Sequence, residues 1–202
     1  SVEKGAKGRY TIFGKKPDKI WEFNKDKSFR IQNKKKIPIK GKPKNIIEDI
    51  LENFKFKTPT KLPPICSLIS GYFSYDTIRY VEKIPNNCKD DLRMPDVRLL
   101  RPTVLIIHDN LKKKIFYIVN VFKDQSIQNY KKKYEDIKNQ INFMIHQSKL
   151  SLNVSHSSKN EKKIKVNSNT TKSQYLNMVK KAKKFIKIGD IFQVVLSQRF
   201  EA

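Results

Sequence analysis

Two β-branched runs, Pro102 to His108 and Lys114 to Phe122, the second also carrying Phe116, Tyr117 and Phe122, flank Asp109 and Asn110 and spell out a hairpin in the middle of the chain. Such residues fit a pleated, half-buried surface, and an Asp-Asn step supplies the turn. An antiparallel sheet is therefore the frame on which the rest must pack. Three shorter strand-like runs, Arg9 to Phe13, Lys19 to Phe23 and Ser28 to Gln32, open the chain, separated by Gly14, by Pro17-Asp18 and by Asn24-Lys25-Asp26.

Between these runs and the hairpin, the pattern alternates loops and short elements. Lys34 to Lys44, basic and broken by Pro38 and Pro43, reads as a loop. Asn45 with Glu48 three residues on predicts a capped helix through about Phe54, with Ile46, Ile47, Ile50 and Leu51 on one stripe. Ile65 to Tyr75 reads as a buried strand, and Asp76 as the cap of a short helix from Thr77 to Glu82 in which Arg79 faces Glu82.

After the hairpin, Ser126 to Gln147 carries apolar residues at helical spacing from Ile127 to Ile145. Ser148 to Thr171 is polar and rich in Ser and Asn. A last helix starts at Ser173, with Gly189 as the residue just past its end. Then comes Gly189 to Phe200, where Phe192, Val194, Leu196 and Phe200 alternate with Gln193, Ser197 and Arg199. That alternation predicts a strand with one polar face, natural for the wall of a binding site. The fold class is α+β, mostly antiparallel sheets with flanking helices. Residues 1–148 form one domain, 149–170 a polar linker or exposed loop, and 171–202 the start of a second domain. Ser1 is not preceded by Met and the chain stops inside a strand pattern, so a piece of a longer protein is expected.

A formal charge of +25 invites a nucleic-acid reading. The charge is carried mainly by Lys in runs such as Lys34-Lys35-Lys36 and Lys131-Lys132-Lys133, while Arg, which forks onto phosphate and guanine, is sparse. The runs read as a solvated surface, with a basic nucleic-acid-binding module kept as the alternative. Cys66 and Cys88 lack metal-ligand spacing and do not cluster with His108, His146 or His156, so reduced thiols in a reducing compartment are expected. No apolar run approaches the roughly 18 residues of a membrane helix.

Four segments together resemble the N-terminal half of anthranilate synthase component I. They are S-V-E-K-G with G-R-Y-T-I-F-G and K-P-D-K-I-W, then G-Y-F-S-Y-D-T-I-R-Y-V-E, then M-P-D-V-R-L-L-R-P, and finally Tyr175 to Phe200. Leu68 and Ser74 stand where that family usually has Gly, which suggests looser local packing or a compensating neighbour. The resemblance implies a cytoplasmic enzyme of tryptophan biosynthesis that converts chorismate and ammonia to anthranilate and pyruvate. A glutamine amidotransferase subunit (component II) would supply the ammonia. It also implies feedback inhibition by L-tryptophan, with Ser1 the remnant of the inhibitor-binding Leu-Leu-Glu-Ser segment. Mg2+ would be held by Glu residues that lie beyond residue 202, as would the His acid/base, leaving residues 1–202 inactive alone.

Gln193 falls where related water-adding enzymes resemble a Lys that activates water. A Lys of lowered pKa can accept a proton and an amide cannot, whereas ammonia needs no base to become a nucleophile. Gln193 thus fits the active-site wall of an aminating enzyme, although a Gln satisfying sheet backbone is the plainer reading. Arg199 could meet a substrate carboxylate or pair across strands. Tyr72, Phe73, Tyr75 and Tyr80 could wall a ligand site, but core packing is favoured. The competing family assignment is aminodeoxychorismate synthase component I, which aminates C4 in folate synthesis.

Overall fold

The computed structural model describes residues 8–87, 90–125, 127–151 and 165–202. The chain divides into two compact units, residues 1–150 and 151–202. In the first, six strands, β1 (Tyr10–Asn24), β2 (Lys27–Gln32), β3 (Lys35–Ile39), β4 (Ser70–Phe73), β5 (Val97–Asp109) and β6 (Lys114–Val119), form a sheet. Their order is β3-β2-β1-β5-β4, with β6 also on β5, and every paired neighbour is antiparallel. This is the α+β architecture expected from the sequence.

The spine is β5, Val97–Asp109, which pairs along its length with β1, Tyr10–Asn24. Its opposite edge is shared, β4 (Ser70–Phe73) taking the first part and β6 (Lys114–Val119) the second. The hairpin turn is Asn110 to Lys113, one step later than the Asp-Asn pair suggested, with Lys113 at φ 54°. The two opening runs are one strand. Gly14 and Pro17 do not end it, because the register shifts between Pro17 and Lys19 and the extra residue is absorbed as a bulge.

The basic loop expected at Lys34 to Lys44 is in part a strand. β2, Lys27–Gln32, turns through Asn33 and Lys34, both at positive φ, and returns as β3, Lys35–Ile39. Two left-handed residues give the twist that suits a tight hairpin. β3 is an edge strand, where Pro38 is tolerated. Helix α1, Pro43–Asn53, starts earlier than the Asn45 cap predicted: Lys42 is its N-cap, without a side-chain cap bond, and Pro43 supplies the first-turn φ.

Residues of one parity on β5 share a face. On that face Val97 and Leu99 join Trp21, Phe23 and Ile46, with Ile47 and Ile50 of α1 packed on them. Further along, Leu105 and Ile107 join Cys66 and Ile118, with Leu62, Ile65 and Leu68 against them. Phe23, Leu105 and Ile107 are fully buried, and burying each such side chain is worth about 1.5–3 kcal/mol. Leu68, far from loosening the packing, fills this second cluster. The expected strand Ile65 to Tyr75 shrinks to β4, because the residues before Ser70 pack as an irregular cover.

Helix α2, Tyr130–Lys149, begins four residues later than its apolar pattern, at an Asn129 N-cap whose side chain accepts from the Lys132 N–H. In the second unit, α3 (Lys172–Lys187) is closed at both ends. Thr171 and Gln174 form a reciprocal capping box. At the other end the Gly189 N–H donates to Ile186 and the Asp190 N–H to Phe185, with Gly189 at φ 82°. That is the glycine-terminated stop expected there. The unit's remaining order is a two-stranded ladder, β7 (Asn167–Ser168) with β8 (Phe200–Glu201).

Candidate functional site

Gln193 lies in the second unit on a segment that is extended in sequence pattern but is not a strand. Among the described residues, Phe200 is the one position of the expected strand, Gly189 to Phe200, that joins a strand ladder. Strand conformation is held by ladder hydrogen bonds, and among the described residues no neighbour reaches back as far as Gln193. Phe192 is 95% exposed, and Gln193 and Ser197 are exposed too.

The end of the segment is clipped in place by Asn169. Its N–H donates to the Arg199 carbonyl (3.0 Å), and its side-chain oxygen accepts from the Arg199 N–H (2.9 Å). The Arg199 guanidinium donates to Glu201 two residues away (3.0 Å). Of the polar row, Gln193 and Ser197 are thus exposed, while Arg199 is held by Asn169 and Glu201. The inhibitor role assigned to Ser1 lies outside the described residues, as do Cys88 and His156.

Sequence reasoning left the first unit's polar interior unread. Arg101, on the core face of β5 between the two apolar clusters, is buried. Its guanidinium donates to Asp18 (2.6 Å) and Asp124 (2.9 Å) and lies 3.8 Å from the centre of the Phe122 ring. The bulge in β1 carries Asp18, Lys19 donates to Asp124, and the Gln125 amide donates to Asp18 (2.8 Å). Burial alone would raise the Asp124 carboxyl, but the hydrogen bonds from Lys19 and Arg101 outweigh it and hold it at about 2. A lone Arg inside the apolar run L-L-R-P-T-V-L-I-I was the signal: such a charge is buried only when paired.

A second clasp joins the start of β1 to the hairpin turn. Arg9 donates to Asp109 (2.8 Å), which also accepts from the Leu111 and Lys112 N–H groups, and Asn110 donates to the Gly8 carbonyl (3.0 Å). The hydrogen bond from Arg9, offset in part by burial, holds the Asp109 carboxyl at about 2.

The aromatic motif is organised by Asp96. The Asp96 carbonyl accepts from the Ser74 N–H (2.7 Å) and the Thr77 hydroxyl, and its carboxylate accepts from Tyr80 (2.9 Å) and the Lys25 N–H. Burial pushes the Tyr80 phenol up and Asp96 adds to it. The helix here is a short 3₁₀ helix, Tyr75–Tyr80, entered from Ser74 without a side-chain cap. Asp76 instead accepts from Arg79 (2.7 Å), and Arg79 also donates to the carbonyls of Ile84 and Pro85. The expected Arg79–Glu82 pair is not formed, because the tighter winding aims Arg79 at Asp76. Core packing holds for Tyr80, which packs on the first cluster, but Phe73 and Tyr75 are exposed.

Burial raises the Cys66 thiol, and Cys66 is a free cysteine. Among the described residues no three His, Cys, Asp or Glu side chains converge as a metal cage. No described helix is long and apolar enough to cross a membrane.

Residues 5–202 match the family model for chorismate binding enzyme. The chain is similar to anthranilate synthase component 1 of Acetivibrio thermocellus, 37% identical over 204 residues, covering 98% of this chain and 41% of that protein. It is also similar to the chloroplastic anthranilate synthase alpha subunit 1 of Oryza sativa subsp. japonica, 32% identical over 225 residues, covering 100% and 38%. The crystal structure of anthranilate synthase component I from Streptococcus pneumoniae shares the fold at a TM-score of 0.69 and 21% identity, over 99% of this chain and 43% of that one. The chain thus spans about two fifths of the length of the curated relatives it matches.

Proposed function

The chain belongs to the family of chorismate binding enzymes, and from that premise we propose that it contributes the first part of an anthranilate synthase large subunit. The observation that carries this reading is the 37% identity to the Acetivibrio protein, sustained over 98% of the chain. In the reaction, ammonia adds at C2 of chorismate, water is lost, and pyruvate leaves from the aminated intermediate to give anthranilate. A glutamine amidotransferase subunit supplies the ammonia, tryptophan inhibits, and the enzyme works in the cytoplasm. Mg2+ and the proton-transfer groups come from outside the residues described here.

Within that scheme Gln193 is the residue of this chain that faces the nucleophile. Its amide can donate and accept hydrogen bonds but cannot take a proton at neutral pH, so it orients ammonia without generating hydroxide. Its exposure, on the polar row it forms with Ser197, is the observation in favour. The test is Gln193→Lys in the complete protein, assayed with chorismate and ammonium salt in place of glutamine. Ammonia-dependent anthranilate formation should be lost while chorismate still binds. Unchanged turnover would remove Gln193 from the site, and no anthranilate from the unmodified protein would overturn the reading itself.

A further inference from the structure

The first unit holds a cleft between α2 and the β5–β6 half of the sheet, separate from everything assigned above. Its floor is aliphatic, formed by Val104, Val119 and Ile137. Lys16, Lys133 and Gln140 also line it, and among the described residues none of their side chains has a hydrogen-bond or ion-pair partner. The remaining polar groups are engaged: the Thr103 hydroxyl donates to the Lys16 carbonyl (2.6 Å), Asn120 to the Cys66 carbonyl (3.0 Å) and Gln125 to Asp18.

Three features point the same way. The lining residues include two lysines and neither Asp nor Glu, so the cleft suits an anion. Asp18 and Asp124 of the neighbouring cluster are already held by Arg101, Lys19 and Gln125. Lys16, just before the β1 bulge at Asp18, has φ 52°, a left-handed conformation that is uncommon for Lys, and its carbonyl is fixed by Thr103. Bulges and residues so held are enriched beside binding sites, where they re-aim a side chain. The cleft holds about 210 Å³, below the roughly 300–1,000 Å³ of pockets for drug-sized ligands, so the occupant is small.

We propose that this cleft binds a small organic carboxylate, its charge met by Lys16 and Lys133 and its apolar body resting on Val104, Val119 and Ile137. A free amino acid fits less well, because nothing in the lining would accept its ammonium. Inorganic phosphate would leave the aliphatic floor uncovered.

The test is a 15N–1H NMR titration of the complete protein that carries these residues with sodium benzoate, beside parallel titrations with benzylamine and inorganic phosphate. Benzoate should give saturable shifts at the amides of Thr103, Asn120 and Gln140, and the other two probes should not. Lys133→Gln, on the solvent-reached helix, and Lys16→Asn, which keeps a residue tolerant of left-handed backbone, should each weaken benzoate about two- to fivefold. Shifts spread over lysines elsewhere, an equal response to phosphate, or full affinity in both variants would overturn the assignment. Should Lys16→Asn disturb the spectrum generally, Lys133→Gln alone decides.

Discussion

Without its guanidinium, the Arg101 position would leave Asp18 and Asp124 near one another on the core side of the sheet, with Lys19 and Gln125 as their remaining donors. Breaking a buried pair from one side costs about 3–5 kcal/mol. Asp124 is partly exposed, so Arg101→Met should lower unfolding stability by about 2–3 kcal/mol, read as a fall in the urea midpoint. The same cluster sets an acid limit. Asp124 falls from its ordinary 3.8 to about 2 in the folded chain. A depressed folded pKa means stability that is present above about pH 4 and lost as pH drops toward 2. Asp124→Asn should therefore flatten the decline of the urea midpoint between about pH 4 and 2, and an unchanged slope would dismiss this role. Gly71 is a steric case. A Cβ there would stand 1.9 Å from the Arg98 carbonyl oxygen across the β4–β5 pairing. Gly71→Ala should cost at least about 2 kcal/mol by forcing two backbones apart.

At the level of elements, the β2–β3 hairpin places Asn33 and Lys34 at φ 51° and 62°. Gly takes that conformation without a Cβ penalty, so Lys34→Gly should raise stability by about 0.5–1 kcal/mol, measured by thermal or urea unfolding. The hairpin also shows where sequence reading stops. Pro38 and a lysine run look like a loop, yet Pro38 pairs with Phe29 on an edge strand where its missing N–H is no loss. Gly14 and Pro17 look like breaks, yet twelve paired positions along β5 carry β1 past them. Tertiary pairing outweighs local propensity in both places. What local chemistry alone decides was legible: the central hairpin, the stripe on α1, and Gly189 closing α3. Of the site, the alternation around Gln193 was readable. Its failure to form a strand was not, because a strand's partners are not written in its own residues. The Arg101 cluster stayed hidden for the same reason, drawing Asp18 and Asp124 from 83 and 23 residues away.

On the scale of the whole molecule, a charge of +25 carried mainly by lysine governs behaviour toward polyanions. It should give weak binding to duplex DNA that disappears on raising salt from about 50 to 200 mM. Competition with heparin should show no preference for DNA, since lysine runs meet phosphate and sulfate alike. A strong preference for a nucleic-acid sequence would favour the other class of function. The reaction proposed for the complete protein is the amination of chorismate at C2. It is tested most directly by isolating the product that the complete protein forms from chorismate and ammonium ion, without its amidotransferase. The expected products are anthranilate, with its blue fluorescence, and an equal amount of pyruvate. Accumulation of 4-amino-4-deoxychorismate without release of pyruvate would contradict it.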